Sequence, residues 1–437
     1  ILNIIPDHYQ NHGLACRWVV LEMLGKILVE KKMISDIKES DNFPFKGMVP
    51  EHKARSLSLL ENILRNMSTL DNMINDYLTQ KTNIRVMNIL RICSAEILID
   101  KIAYHAAVDS AVRLAKFDKK LFRFSGLINA VCRKISKAVK DGKVLDNPSL
   151  SNDFEVLLKK AYRTDIIKKF GLAQASRPPL DLTLRDERLT KNYANLLDAK
   201  ILPSGSLRLL HQRQVSKLAG YDMGDWWVQD FSASIPVRLL GDINGLQILD
   251  VCAAPGGKTM QLVANGAVVT AIEVSKRRSK LLSENLLRTG LMAHIKTEDI
   301  CNSKMEELYD AVLVDAPCSS TGTIRRNCDL QFLEPLKRIS GLVKQQKIIL
   351  KKSMQFVKTG GRLIYCTCSL MPEEGEDIIN QILKDELSWK QLQIKPEEFG
   401  IQSDWIDKFG GLRLQPNFWE TLGGMDGFYI AMLVKEK

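Results

Sequence analysis

The stretch Leu246-Gln-Ile-Leu-Asp-Val251, followed at once by Cys252-Ala-Ala-Pro-Gly-Gly-Lys258, decides the fold of the C-terminal half of this chain. A short apolar run that leads into a glycine-rich turn is typical of a Rossmann-type sheet, at the point where a nucleotide cofactor binds. The residues that follow have helical spacing, and the free N–H groups of a helix start would point at the ligand. We therefore expect a Rossmann-like α/β domain over residues 236–437, whose cofactor-binding loop consists of Cys252, Ala253, Ala254, Pro255, Gly256, Gly257 and Lys258.

Two common nucleotide-binding loops do not fit this stretch. A Walker A loop needs a glycine where this chain has Cys252, and the dinucleotide pattern G-x-G-x-x-G is absent. The ligand is thus expected to be a different adenosine compound.

Three acidic residues, each placed after a predicted strand, narrow the choice of ligand. Glu273 follows the apolar run Val268-Val-Thr-Ala-Ile272, about 20 residues after Asp250, where an acid commonly binds the ribose hydroxyls. Asp299 and Asp315 follow two later strand patterns, and the carboxyl ends of parallel strands line one crevice. Each acid alone could instead cap a turn or a helix. Together they favour S-adenosylmethionine as the cofactor.

Two cysteine tetrapeptides are expected at the rim of the same crevice: Ala316-Pro-Cys-Ser319 and Cys366-Thr-Cys-Ser369. A cysteine thiol has an ordinary pKa of about 8.5 and a reactive thiolate, which suits it to nucleophilic catalysis. Cysteine is also among the most frequently buried residues, so each of these thiols could simply pack. For Cys366 we expect packing, on the strand face opposite Cys368. No second cysteine pair has metal-binding spacing, and no metal is expected.

The motifs Asp250-Val-Cys-Ala-Ala-Pro-Gly-Gly-Lys258, Asp315-Ala-Pro-Cys318 and Tyr365-Cys-Thr-Cys-Ser-Leu-Met-Pro-Glu-Glu374, in this order, resemble those of the RNA (cytosine-5)-methyltransferases. This resemblance implies methyl transfer from S-adenosylmethionine to carbon 5 of a cytosine. It further implies that Cys368 adds to carbon 6 as the nucleophile, that Cys318 helps to release the product, and that Asp315 faces the base. Lys258 would orient the loop or the methionine carboxylate.

Length and charge indicate a multidomain enzyme with a polyanionic partner. The 437 residues are enough for two or three domains, and the net charge of +11 favours a partner such as RNA. Nine cysteines without a repeating pattern indicate a reducing compartment. The chain has no signal-peptide pattern and no apolar run of about 18 residues, so a cytoplasmic protein is expected. Nothing in the sequence suggests more than a monomer.

Residues 1–145 have the pattern of an all-helical bundle, with apolar residues at helical spacing over 15–28, 57–67, 86–99, 108–115 and 127–135. Three stretches resemble the RNA-binding antitermination factor NusB: Ile89-Leu-Arg-Ile-Cys-Ser-Ala-Glu-Ile97, Ala107-Val-Asp-Ser-Ala-Val-Arg-Leu-Ala-Lys116 and Gly126-Leu-Ile-Asn-Ala-Val131. Ten basic residues lie between Arg113 and Lys143, against two acidic ones. They form either an RNA-binding surface or a solvated helix face, which the salt dependence of binding would distinguish.

Residues 146–235 are expected to form a small α+β module, with a helix over 154–170 and a strand within 177–184. Trp226 and Trp227 could stack on bases or serve as buried anchors. Near the catalytic motifs, Arg325 and Arg326 are candidate phosphate contacts or solvated side chains. Asp426-Gly427 is expected to supply the turn before the last strand.

A NusB-like bundle joined to this catalytic domain resembles the bacterial cytosine-5 methyltransferases of 16S ribosomal RNA. Two alternatives stay open. One is a related methyltransferase acting on tRNA, another RNA or DNA, and the other is a non-catalytic RNA-binding assembly factor.

Overall fold

Helices form the first part of the chain, and two β-sheets with flanking helices form the rest. The structure is a computed structural model that describes residues 5–6, 9–10, 13–40, 45, 48–211, 214–334 and 336–436. The chain divides into two units, Ile1–Ser176 with Asn327–Glu334, and Arg177–Arg326 with Pro335–Lys437. The three-part division expected above, into 1–145, 146–235 and 236–437, stays a prediction.

The first unit is helical, as expected. In it α5 is buried along almost its whole length, and the Glu96 carboxylate on α5 pairs with Arg17 of α1 at 2.8 Å. The five expected helices correspond to α1, α3, α5, α6 and α7, whereas the short α2 and α4 were not predicted. The helices of this unit are α1 Ala15–Leu28, α2 Ile34–Glu39, α3 Pro50–Arg65, α4 Met67–Asn75, α5 Ile84–Leu98, α6 Tyr104–Phe117, α7 Ser125–Lys140, α8 Asn152–Leu158 and α9 Thr164–Ala175.

The single helix expected over 154–170 is wrong, because α8 and α9 are separate. The Ser151 side chain caps α8 by accepting from the Phe154 N–H. Arg163 has extended backbone with ψ 154°, so the chain leaves the helical conformation there and α9 begins anew at Thr164. Helical periodicity by itself does not register such a local break.

The second unit begins with a small antiparallel sheet whose strands are β1 Leu180–Leu184, β2 Lys200–Ile201, β3 Leu207–Leu209 and β4 Trp226–Val228, in the order β2-β3-β1-β4. Helix α10, Thr190–Leu197, packs on this sheet. The predicted strand begins only at Leu180, after two prolines that lack the N–H a ladder requires. Both tryptophans are buried: Trp226 donates to the Ala219 carbonyl and Trp227 to Gln229 Oε1, each at 2.9 Å. They are therefore anchors and offer no face to a base.

The second sheet of this unit is the predicted Rossmann-like sheet. Strands β5 to β9 run parallel, and β12 pairs antiparallel with β9. The order is β10-β12-β9-β8-β5-β6-β7, with β11 paired to β12. Its strands are β5 Gln247–Val251, β6 Val268–Ile272, β7 His294–Lys296, β8 Tyr309–Asp315, β9 Val357–Thr367, β10 Trp389–Leu392, β11 Leu412–Leu414 and β12 Phe428–Lys435, and its helices are α11 Phe231–Arg238, α12 Gly257–Ala264, α13 Lys276–Thr289, α14 Leu336–Met354 and α15 Glu376–Asp385.

Helices cover both faces of this sheet, because successive strand side chains point to opposite sides. On β8, Leu313 packs with Phe231 of α11 in one core, whereas Val312 packs with Leu350 of α14 in the other. This arrangement leaves the loops at the strand ends free to carry the site.

The turn before β12 differs from the expected Asp426-Gly427 turn. The left-handed glycines are Gly423 and Gly424, with φ 88° and 77°. Gly427 instead allows close backbone contact, since its N–H donates to the Gly322 carbonyl at 2.8 Å. The Asp426 carboxylate is buried and is used in ion pairing, as described below.

Candidate active site

The site lies at the carboxyl ends of β5 and β8, where the strand order reverses direction. Strand β5 lies between β6 and β8, and the loops that follow β5 and β8 diverge to opposite sides of the sheet and leave a crevice between them. The loop after β5 is the predicted glycine-rich loop. In it Cys252 and Gly256 have φ 62° and 105°, and a Cβ on Gly256 would lie 2.5 Å from Leu282 Cδ1. The positive φ thus favours glycine at 256, and a Cβ there would also displace the Leu282 Cδ1 methyl.

Side chains of helix α13 donate hydrogen bonds to two carbonyls of the glycine-rich loop. Asn285 Nδ2 donates to the Pro255 carbonyl at 2.8 Å, and the Arg278 guanidinium donates to the Ala254 carbonyl. These two hydrogen bonds fix the positions of the Ala254 and Pro255 carbonyls.

Glu273 follows β6, as predicted, and has free acceptor capacity. The side chain is buried, and Oε1 accepts from the Ser275 N–H at 2.9 Å. Oε2 is buried, has no hydrogen bond from any described residue, and lies 3.5 Å from Arg278 Nη1. A buried acceptor without a hydrogen bond fits a ligand that brings hydroxyl donors, such as a ribose.

Asp299 follows β7, where its carboxylate caps a turn. It accepts from the Cys301 N–H at 2.9 Å and from Asn302 Nδ2 at 3.0 Å. This is the capping geometry that the sequence left open for each acid, and a cofactor contact by Asp299 stays a prediction.

Asp250, at the end of β5, braces the glycine-rich loop against α12. Its carboxyl is fully buried and accepts from Thr259 Oγ1 at 2.6 Å. Burial raises the pKa of Asp250 to about 7, and the nearby Asp315 carboxylate acts in the same direction.

Lys258 and Asp315 form an ion pair in the crevice. Lys258 Nζ donates to Asp315 Oδ2 at 2.7 Å and lies 5.1 Å from the centre of the Phe428 ring. Burial acts to lower the pKa of Lys258, but the Asp315 carboxylate outweighs this and raises it, so the ammonium is charged. Asp315 remains about one-third exposed, which leaves its carboxylate accessible from the crevice.

The two predicted cysteines are in contact. Cys318 Sγ lies 3.4 Å from Cys368 Sγ, and Ser320 Oγ lies 3.5 Å from Cys368 Sγ on another side. The hydrogen bond from the Cys318 thiol lowers the pKa of Cys368, and the same contact raises the pKa of Cys318. Cys368 is therefore the thiol of the pair that ionises more readily, which is the property a nucleophile needs.

Cys366 is buried, as expected, but its predicted orientation was wrong. Residues two apart in a strand share a face. Cys366 and Cys368 accordingly pack against the same core, and Cys366 Sγ lies 3.7 Å from Asp315 Oδ1.

The two arginines after the Pro-Cys motif differ from each other. Arg325 is fully buried, 3.1 Å from Asp230 Oδ2 and 3.6 Å from Asp426 Oδ1, so it is not a phosphate contact. Arg326 donates from Nε to Asp426 Oδ2 at 2.7 Å and keeps almost half of its side chain exposed. Only Arg326 retains a surface that a phosphate could reach.

The sequence does not indicate a role for Glu374, although this residue ends the third motif. The Glu374 carboxylate is buried between the two cysteine loops, where Ser319 and Ser369 donate to it. The only local signal is a glutamate soon after a cysteine-rich strand end, which does not reveal burial.

Comparison with known proteins identifies the family. The model described as 16S rRNA methyltransferase RsmB/F matches residues 237–434, and the NusB family model matches residues 15–137. The ribosomal RNA small subunit methyltransferase B of Pasteurella multocida is 31% identical over 456 residues, which cover 97% of this chain and 96% of that protein. This chain belongs to the methyltransferase B family. The member from Photorhabdus laumondii is 32% identical over 353 residues, 77% of this chain and 79% of that protein.

Solved structures agree with this family fold. PH0851 is 20% identical with a TM-score of 0.69, and the match covers 95% of this chain and 98% of that one. A methyltransferase homologue from Pyrococcus horikoshii is 24% identical with a TM-score of 0.52, and covers 66% and 100%.

Membership of the methyltransferase B family confirms the predicted class of enzyme and its cofactor. The chain is a methyltransferase, and S-adenosylmethionine is its methyl donor. The left-handed glycine turn and the free acceptor of Glu273 fit that cofactor. Within the described residues, no helix is long and apolar enough to cross a membrane, and no cluster of His, Cys, Asp or Glu could hold a metal ion.

Proposed function

We propose that this enzyme methylates carbon 5 of a specific cytosine in 16S ribosomal RNA through a covalent adduct between Cys368 and carbon 6. The observation that carries the proposal is the contact between the Cys318 and Cys368 sulfurs, beside the Lys258–Asp315 ion pair. The names of the relatives support ribosomal RNA as the substrate.

Each reacting group has a role that its geometry permits. The Cys368 thiolate adds to carbon 6, which makes carbon 5 nucleophilic toward an electrophilic methyl group. S-adenosylmethionine supplies that methyl group when bound. Asp315, with Lys258 beside it, faces the base and stabilises the adduct through N3 or the exocyclic amine.

Product release needs two bond changes. A base removes the proton from carbon 5, and the Cys368–C6 bond breaks so that the thiolate leaves. Cys318, in contact with the departing sulfur, assists this step. Since the cytosine ring must reach Cys368 in the crevice, the target nucleotide is unpaired or flipped out of its RNA helix.

The helical unit contributes RNA affinity through α7. Arg133, Lys137 and Lys140 are exposed, lie at helical spacing and line a groove of about 550 Å³ with Tyr104 and His105 of α6. We call these three α7 side chains the basic surface. Lys140 Nζ lies over the Tyr104 ring, 5.1 Å from its centre, so the groove combines positive charge with an aromatic side chain.

Transfer of tritiated methyl groups from S-adenosylmethionine to protein-free small-subunit rRNA, followed by digestion to nucleosides and chromatography, tests the proposal. The expected product is 5-methylcytidine at one site. Methyl transfer to tRNA or DNA, and not to rRNA, would contradict ribosomal RNA as the substrate. Cofactor binding without transfer to any RNA would favour an assembly factor.

A further inference from the structure

Glu374 lies where the two cysteine loops meet, and its carboxylate accepts hydrogen bonds from both. Oε1 accepts from the Ser319 N–H at 2.9 Å and from Gln346 Nε2 at 3.0 Å. Oε2 accepts from Ser369 Oγ at 2.6 Å and from Ser319 Oγ. One carboxylate thus joins the loop after β8, the loop after β9 and helix α14.

The main chain of Glu374 is itself fixed to β9. Its carbonyl accepts from the Tyr365 hydroxyl and from Thr367 Oγ1, both at 3.1 Å. Gln346 adds a second tie, since its Nε2 also donates to the Pro317 carbonyl at 2.8 Å. The carboxylate is therefore a rigid reference point for both loops.

The serines that Glu374 binds are the immediate neighbours of the two cysteines. Ser319 follows Cys318, and Ser369 follows Cys368. We infer that Glu374 is the positioning residue that keeps the Cys318 and Cys368 sulfurs in contact. This inference rests on the proposed role of Cys368 as the nucleophile.

A buried carboxylate with four donors is difficult to replace, because a glutamine offers one acceptor oxygen and brings two N–H donors of its own. In Glu374→Gln at least one serine loses its acceptor, and the two loops are no longer held by the same group. If the sulfurs separate, Cys368 loses the hydrogen bond that lowers its pKa.

The test is the pH dependence of iodoacetamide alkylation at Cys368, measured on its peptide by mass spectrometry. For Glu374→Gln the profile should move to higher pH, because loss of a hydrogen bond to a charged group is worth about one pKa unit or more. Removing the Glu374 charge, which raises the pKa of the neighbouring Cys318, acts in the opposite direction, so a shift to higher pH reports the lost contact. The kcat for methyl transfer should fall about 10- to 100-fold, since small misplacement of reacting groups has effects of this size. Affinity for S-adenosylmethionine should stay as in the wild type.

Glu373→Gln is the matched control, because it removes the same charge at the neighbouring position. The Glu373 side chain is half-buried and lies outside the hydrogen bonds described for Glu374. Its alkylation profile should match the wild type. An unchanged profile in a Glu374→Gln protein that melts and binds cofactor normally would overturn the inference. If Glu374→Gln does not fold, Ser369→Ala removes the side-chain hydrogen bond from the loop after β9 to the carboxylate, and an unchanged profile there would overturn the inference equally.

Alkylation requires no methyl acceptor. A wild-type protein that fails to methylate rRNA would contradict the proposed function, while the alkylation profiles would still decide whether Glu374 positions the thiols.

Discussion

Cys318 and Cys368 come together because β8 and β9 are adjacent parallel strands. Asp315 of β8 is paired with Cys366 of β9, so the two strands end next to each other and the loops that follow them begin side by side. The two sulfurs end 3.4 Å apart, and the contact favours ionisation of Cys368. The roles of nucleophile and releasing thiol are then testable one residue at a time.

Replacement of Cys368 by alanine should abolish methyl transfer, because the thiol proposed to form the bond to carbon 6 is removed. Cofactor affinity should be nearly unchanged, as measured by calorimetric titration with S-adenosylmethionine. Cys16→Ala, in α1, is the control and should keep full activity. Appreciable activity of the Cys368 variant would mean that another group is the nucleophile.

Replacement of Cys318 by alanine should trap a covalent RNA–protein adduct, because the thiol proposed to assist release is gone while Cys368 can still add. The adduct should survive denaturation and appear as a slower band on a denaturing gel. The double variant with Cys368→Ala should give no such band. Normal turnover without an adduct would remove this role from Cys318.

Asp250 predicts a pH dependence of stability. Its native pKa is about 7 because of burial, against about 3.9 in an unfolded chain, so the native state binds the extra proton between these values. Stability should therefore fall as pH rises through this window and level off above about pH 7. Asp250→Asn lacks this titration. The difference in melting temperature between Asp250→Asn and the wild type should therefore increase, in favour of the variant, by about 5–10 °C from pH 5 to pH 8.

The exposed Asp222→Asn provides the comparison for this measurement, and its melting temperatures should follow those of the wild type. Parallel curves for wild type and Asp250→Asn would show that Asp250 is ionised in the native protein throughout the range.

At the scale of elements, the backbone conformation of two residues, Cys252 and Gly256, determines the path of the loop that connects β5 to α12. Gly256 has φ 105° and caps the start of α12, and Cys252 turns the chain out of β5 with φ 62°. These are properties of a few consecutive residues, which is why the motif could be recognised in the sequence.

Gly256→Ala should weaken this connection, because its Cβ would approach Leu282 Cδ1 to 2.5 Å and its positive φ disfavours alanine. A loss of about 1–3 kcal/mol in unfolding free energy is expected, with weaker cofactor binding, measured by urea denaturation and calorimetry. Gly257→Ala is a matched control, since a Cβ there would find Gln229 at an ordinary 3.8 Å. Equal stability loss in both variants would contradict the conformational explanation.

At the scale of the whole molecule, the excess of positive charge is concentrated in part on one helix. The net charge is +11, and α7 carries the three side chains of the basic surface. Binding of RNA by such a surface releases counterions and weakens steeply with salt.

Replacing Arg133, Lys137 and Lys140 together by alanine should lower rRNA affinity. It should also flatten the salt dependence, by about 0.7 in the log–log slope for each phosphate that is no longer neutralised. Filter binding over a range of salt concentrations measures both quantities. Removing the same charge from the exposed Lys160, Lys168 and Lys169 should have a smaller effect. Equal losses of affinity in both triple variants would show that overall charge, and not this surface, determines binding.

The Rossmann-like sheet, the helical unit, the cofactor and the two cysteine motifs could be predicted from the amino-acid sequence alone, because each is encoded in consecutive residues or in a short period. Local patterns did not show where a helix breaks at Arg163 or that Arg325 is buried. The position of Glu374 between the two cysteine loops follows from the folding of β8 and β9 side by side. Contacts of this kind join residues distant in the chain, and burial and charge pairing arise only when separate strands and loops are packed together.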